Sequence, residues 1–220
     1  MPEEILRADA ARNRSQLIEG ARLLFAERGL DVPLDEIARR AGVGNATLYR
    51  RFPTRCHLVA AVFADALREI VGAAEKALAG PEDAWDAFTA YLTFLCETQA
   101  ANRGIADLLT SAVSGSPELE RLREQAFDGL SRLIDRAKAS GDLRPDFRHE
   151  DVVLILMANA GLIERTAAAP EAPRRHLGYV LDGLRAPASS PAAPPPDRDQ
   201  IIESMRALGE RYSCSADPAR

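Results

Sequence analysis

The stretch between Pro33 and Pro53 constrains the chain most. Leu34, Ile37, Ala38 and Ala41 fall at i, i+3, i+4 and i+7, one face of a helix, and Pro33 stands where such a helix starts. Gly42 comes next, in the place of a left-handed turn residue. Val43, Leu48, Tyr49 and Phe52 then supply a second short apolar set, with Gly44 or Asn45 as N-cap and Pro53 as the stop. Two short helices joined by a tight turn containing glycine form a helix-turn-helix unit. In such a unit Ala38 is small enough for close crossing, and Ile37, Val43 and Leu48 fill the wedge between the helices. The residues between those positions are left outside.

The remainder reads as helix after helix, so the expected fold class is all-α. Only 5% of residues are aromatic, β-branched runs are scarce, and Ala, Leu, Arg and Glu dominate. A first helix is expected over residues 10 to 29, closed by Arg28 and Gly29. A connector helix starts at Thr54 and runs to about Ala79, with Leu58, Val59, Val62, Ala66, Leu67 and Ile70 in one stripe, before Gly80-Pro81 breaks the chain. Further helices are expected around Trp85 to Gln99, Ile105 to Val113, and Ser116 to Gly141. After the loop GDLRPDF, the run VVLILMANAGLI over residues 152 to 163 carries no charge on any side, which demands cover on several faces. About 12 residues are too few to span a bilayer, so a core helix that also meets a second subunit is expected. A last bundle helix runs from about Arg174 to Ala186. The domains expected are 1–53 for the helix-turn-helix, 54–81 for the connector, 82–186 for the bundle, and 187–220 for a Pro/Ala linker with a short C-terminal segment. There Ile201, Ile202, Met205 and Leu208 form an amphipathic helix that either docks or stays apart.

The three cysteines, Cys56, Cys96 and Cys214, are too few and too scattered for a disulfide framework or a CxxC pair, and no metal site or cofactor is expected. The arginine- and acid-bearing N-terminus is unlike a signal peptide, and no stretch reaches the length of a membrane span, so a cytoplasmic location is expected. His57, His149 and His176 stand on separate segments, without HExxH or GxSxG, and no enzyme is expected.

The net charge of -5 taken alone argues against a polyanionic partner, but its distribution argues for one. Met1 to Leu58 has ten Arg against eight Asp or Glu, so the acidic excess lies in the rest of the chain. From Ile37 through Ala64 there is no acid at all, while Arg39, Arg40, Arg50, Arg51 and Arg55 all stand in that window. That local field suits a polyanion, with double-stranded DNA as the expected partner and a merely solvated basic face as the alternative. With the second short helix in the major groove, Asn45, Ala46 and Arg50 are candidates for base edges, and Thr47 and Tyr49 for phosphates. Arg7, Arg12 and Arg14 stand ahead, as an arm for phosphate or minor groove.

The segments AxxxFAERG and LDEIARRAGVGNATLYRRFPTR resemble the tetracycline-repressor (TetR) family of bacterial regulators over about residues 12 to 63. The most specific part is the run from Ala41 to Pro53, where TLY is followed by Phe-Pro. The resemblance implies phosphate contacts from Thr47, Tyr49 and Arg55, and places Gly44, Asn45 and Arg50 at or near bases. Three positions depart from the pattern. Gly44 stands where serine commonly opens the recognition helix, and Cys56 and His57 follow Arg55 where an acid is usual, so no capping box is expected there. Cys56 reads as a buried, inert thiol, with redox sensing as the alternative.

The resemblance further implies a homodimer on a pseudo-palindromic operator, its reading heads about 34 to 36 Å apart. It also implies a small-molecule effector that releases a repressor; an activator, or a helical adaptor that binds no DNA, are the alternatives. The expected ligand cavity is lined by Trp85, Phe88, Leu92, Leu109, Phe127 and Met157, with Cys96, Gln99 and Asn159 as its polar groups, and suits a mostly hydrophobic effector; plain core is the alternative for each of them. The expected dimer interface uses Val153, Leu156, Ala160 and Gly161 together with Leu177, Val180, Leu181 and Leu184.

Overall fold

In the computed structural model the chain is described over residues 2–81, 83–113, 116–186, 190, 192–210 and 212, with side chains from residue 9 onward. Cys214 and the side chain of Arg7 lie outside the described residues. The elements are α1 (Pro2–Arg28), α2 (Leu34–Ala41), α3 (Asn45–Arg51), α4 (Arg55–Ala79), α5 (Ala84–Ala101), α6 (Arg103–Thr110), α7 (Pro117–Ala139), α8 (His149–Arg165), α9 (Ala172–Leu184) and α10 (Arg198–Glu210). Every expected helix is present. The first begins eight residues earlier than expected, because the residues ahead of Leu17 extend the same helix.

The N-terminal unit closes as its residues require. Gly42 adopts φ 67°, ψ 26°, and Val43 N–H reaches back to the Ala38 carbonyl at 3.0 Å, so the chain turns from α2 into α3 through Gly42, Val43 and Gly44. A Cβ added at Gly20 of α1 would lie 3.3 Å from the Ala41 Cβ, which shows how closely α1 and α2 cross. Ile37, Ala38 and Leu48 fill the space below, together with Leu17, Phe25 and Phe52.

Thr54 caps α4. Its hydroxyl accepts from His57 N–H at 3.4 Å and pairs with His57 Nδ1 at 2.7 Å, so His57 meets the cap through both backbone and ring. Along α4, Ala74 meets Gly129 of α7, where an added Cβ would come within 2.8 Å. Arg136 of α7 donates to the Ala77 and Leu78 carbonyls at 3.3 and 3.1 Å, holding the last turn of α4. The connector is thus sheathed by α7 over much of its length.

The uncharged run is helical throughout α8, but it is covered on one side only. Val152, Leu156 and Asn159 are buried, whereas Leu154 is 41% exposed and Ala158 is exposed. On α9 Tyr179 is 61% exposed. Among the described residues, no helix is long and apolar enough to cross a membrane.

Helix α10 docks. Ile201 is buried, Ala112 N–H donates to the Met205 carbonyl at 2.9 Å, and Gly209 rests on the Ala112 backbone. The cysteines depart from expectation. Cys56 is fully buried but engaged in a disulfide, whereas Cys96 is a buried free thiol whose pKa is pushed up to about 12 by burial.

Candidate nucleic-acid interface and effector cavity

Helix α3 presents its second face to solvent. Leu48 turns inward and is fully buried, and one turn of helix around it Asn45, Ala46, Tyr49 and Arg50 are all exposed, with Thr47 half-buried and Tyr49 at 39%. Gly44 is the N-cap, with extended φ -67° and ψ 145° and no side chain to offer, so the first amides of α3 are without a side-chain cap. Nothing lies within 4 Å of a Cβ placed at Gly44, so the approach to that end is open. Val43 packs against the core and serves the wedge.

The flanking charges favour a polyanion. Arg39, Arg40, Arg50 and Arg51 are exposed, and Glu36, the last acid before the window, is tied to Arg28 at 2.6 Å. Arg14 lies 5.6 Å over the Phe52 ring, which carries it from α1 to the end of α3. It is therefore a side chain held beside the reading helix rather than part of a loose arm.

Arg55, expected at a phosphate, is half-buried and engaged within the chain. Its Nη1 donates to the Leu30 and Val32 carbonyls, both at 2.7 Å, and burial lowers its pKa. The guanidinium pins the α1–α2 loop to α4 from within, which the resemblance alone could not reveal.

A cavity of about 230 Å³ lies between α4, α5, α6, α7, α8 and α10. Its walls include Leu67, Ile70, Leu95, Leu108 and Leu130, and α10 closes one side with Ile201, Ile202 and Met205. Of the nine expected ligand residues, Leu109 and Phe127 line it. Trp85 and Phe88 pack on each other at 6.1 Å, with Arg185 4.4 Å over the indole and Phe147 set edge-on to Phe88 at 5.7 Å. They and Leu92 belong to solid core.

Cys96, Gln99 and Asn159 form a buried tie between α5 and α8. Asn159 Nδ2 donates to Gln99 Oε1 at 2.8 Å and to the Cys96 carbonyl at 3.2 Å, while Gln99 Nε2 donates to the Leu156 carbonyl at 3.3 Å. Their polar atoms satisfy one another and leave little for a ligand. Met157 is half-buried on α8 and does not line the cavity.

The cavity's polar groups gather elsewhere, and periodicity gave no sign of them. His149, at the start of α8, packs against Phe127 with centroids 3.8 Å apart and the rings tilted by 37°, and its Nδ1 lies 3.4 Å from Ser131 Oγ. Burial lowers its pKa to about 4, so the imidazole is neutral at neutral pH. Arg198 of α10 lies 5.1 Å over the Phe127 ring, and Glu150 also lines the cavity. Arg123 also reaches the wall, but it is spent on the Val113, Leu108 and Ser111 carbonyls at 2.6, 2.8 and 3.0 Å.

The expected dimer residues divide. Leu156 and Leu177 are buried within this chain, and Leu181 and Leu184 pack partly against its core. Val153 is half-buried against the cavity. Ala160, Gly161 and Val180 remain half-exposed beside Leu154, Ala158 and Tyr179, so the surface open to a partner is offset from the expected one.

Two family models match the chain. Residues 17–62 match "Bacterial regulatory proteins, tetR family", and residues 81–186 match "Transcriptional regulator SbtR-like, C-terminal domain". The chain is 34% identical to a TetR transcriptional regulator from Streptomyces coelicolor, with 80% of this chain and 99% of that one covered and a TM-score of 0.50. It is 26% identical over 192 residues to an uncharacterized HTH-type transcriptional regulator of Mycobacterium tuberculosis, covering 78% of this chain and 96% of that protein. The crystal structure of RolR in complex with resorcinol shares the fold at 19% identity and a TM-score of 0.53, over 90% of this chain and 95% of that one.

Proposed function

Because the chain belongs to the TetR family of bacterial transcriptional regulators, we propose that it is a homodimeric repressor released from a pseudo-palindromic operator by a small, mostly hydrophobic effector. Residues 1–53 read DNA, residues 54–81 connect, and residues 82–186 sense and dimerise. The observation that carries this reading is the outer face of α3, where Asn45, Ala46, Tyr49 and Arg50 stand exposed in a stretch without a single acid. Resorcinol in RolR is a small phenol, and an effector of that order of size suits the cavity under α10.

Selection of bound sequences from a random duplex pool tests the proposal. A palindrome with half-sites about one helical turn apart is expected, with retention that falls steeply as salt rises. Recovery of no sequence, or retention indifferent to salt, would favour the adaptor.

A further inference from the structure

Helix α10 touches both the cavity and the part of α6 that holds the reading head. On the cavity side Ile201, Ile202 and Met205 form a wall, and Arg198 covers Phe127. Towards α6, the Met205 carbonyl accepts the Ala112 N–H at 2.9 Å, and a Cβ added at Gly209 would lie 2.9 Å from the Ala112 carbonyl oxygen. Just beyond the helix, Tyr212 hydrogen-bonds the Asp107 carboxylate.

Asp107 in turn accepts the Leu30 N–H at 2.8 Å through Oδ2. Leu30 follows Gly29, whose φ of 81° turns the chain from α1 toward α2, and the same Oδ2 would lie 2.3 Å from a Cβ at Gly29. One carboxylate thus joins the end of α10 to the loop that sets α1 against α2. On α6, Leu108 and Leu109, next in sequence to Asp107, line the cavity.

The chemistry of the occupant follows from the walls. A cavity of 150 Å³ accepts benzene, so about 230 Å³ holds a compact molecule of roughly one to two rings. Arg123 is committed to carbonyls, Arg198 and Glu150 bring one charge of each sign to the wall, and the remaining lining is apolar apart from His149 and Tyr91. A charged occupant would be stripped of water against a wall that is mostly apolar, which disfavours it.

We propose that α10 is the movable wall of the effector cavity, and that entry of a compact, uncharged, largely apolar molecule with a hydroxyl for His149 is reported to the reading head through Tyr212 and Asp107. This rests on the effector-responsive reading above. Tyr212 and Asp107 are positioning residues; neither lines the cavity.

The test uses the full chain, with 1-naphthol as an uncharged probe and 1-naphthoate as its anionic counterpart, and follows amide hydrogen exchange. Saturable uptake of 1-naphthol below ~1 mM is expected, with naphthoate at least ~10-fold weaker. At saturation, exchange at Leu30 and along α10 rises about 5-fold or more. Tyr212→Phe produces the rise at Leu30 without a ligand while binding 1-naphthol within about twofold of the parent. Gly209→Leu, checked for helix content, reaches the same state by pressing α10 away from Ala112. Uptake with unchanged exchange at Leu30 overturns the relay, as does a silent Tyr212→Phe. Absent uptake, or equal uptake of naphthoate, overturns the ligand class. Duplex retardation by the unliganded chain is scored separately, so failure of operator binding and failure of the relay are told apart.

Discussion

Tyr49 and Arg50 are neighbours on α3 with different expected duties. An exposed phenol at the middle of a reading helix suits a phosphate oxygen, so Tyr49→Phe should weaken binding to all duplexes alike. The Arg50 fork suits guanine, and Arg50→Ala should relax preference at particular base pairs by about 1–3 kcal/mol in competition binding. Equal losses on selected and random duplex would return Arg50 to the phosphates. His149 carries a separate prediction. Its folded pKa of about 4 lies below the unfolded value near 6.5, so below that value the unfolded chain takes up a proton that the folded chain resists. Stability should fall as pH drops from about 6.5 towards 4, by up to ~3 kcal/mol, and His149→Gln should flatten this arm of a pH-dependent denaturant series. Glu150, which favours the proton, and Arg198, which opposes it, both face the ring. The face of α3 was legible in sequence because helical period separates Leu48 from its neighbours. The duty of Arg55 was not, since it is decided by carbonyls 25 and 23 residues earlier.

The tie between α5 and α8 shows how an element is fastened by polar groups when its surroundings are apolar. Gln99 is fully buried and Asn159 nearly so, and each occupies the other's hydrogen-bonding capacity. Asn159→Ala should cost about 1–3 kcal/mol in thermal or denaturant unfolding, because it leaves the Gln99 carbonyl oxygen buried without that partner. A neutral result would mean that the site relaxes or admits water. The amphipathic stripes of α4, α5 and α7 marked these elements correctly as facing inward. They could not separate close-packed interior from cavity wall, because both demand the same apolar residues at the same spacing. Trp85 and Phe88 fill their space with one another, whereas the opening forms where α10 meets α8, a juxtaposition made by a return of the chain that periodicity does not encode.

For the whole molecule, the bare side of α8 and α9 is the feature that a monomer leaves unexplained. Leu154 and Tyr179 stand exposed at 41% and 61%, with Ala158 and Gly161 between them offering little bulk against close approach. Gly161→Glu should give monomers by light scattering, and Leu154→Glu should do the same, while far-ultraviolet circular dichroism stays unchanged in both. Retention of the dimer by both variants would move the interface to another face. The uncharged run had pointed to such a surface, but which residues remain for a partner is settled only after the protomer's own packing has claimed Leu156 and Leu177.

The seat of α6 has a thermal consequence. Its Gly104 lies so close to α1 and α4 that a Cβ there would come 2.7 Å from Phe63 Cζ and 3.0 Å from Phe25 Cβ, which leaves no solvent layer between the N-terminal unit and the bundle. Parts joined through shared core do not melt in turn. Scanning calorimetry should therefore record one heat-absorption peak, with van't Hoff and calorimetric enthalpies equal per cooperative unit, and a resolved low-temperature shoulder would show that the N-terminal helices come apart first. A regulator built this way stays a single object as it warms, its DNA-reading surface lasting as long as the interior that bears it.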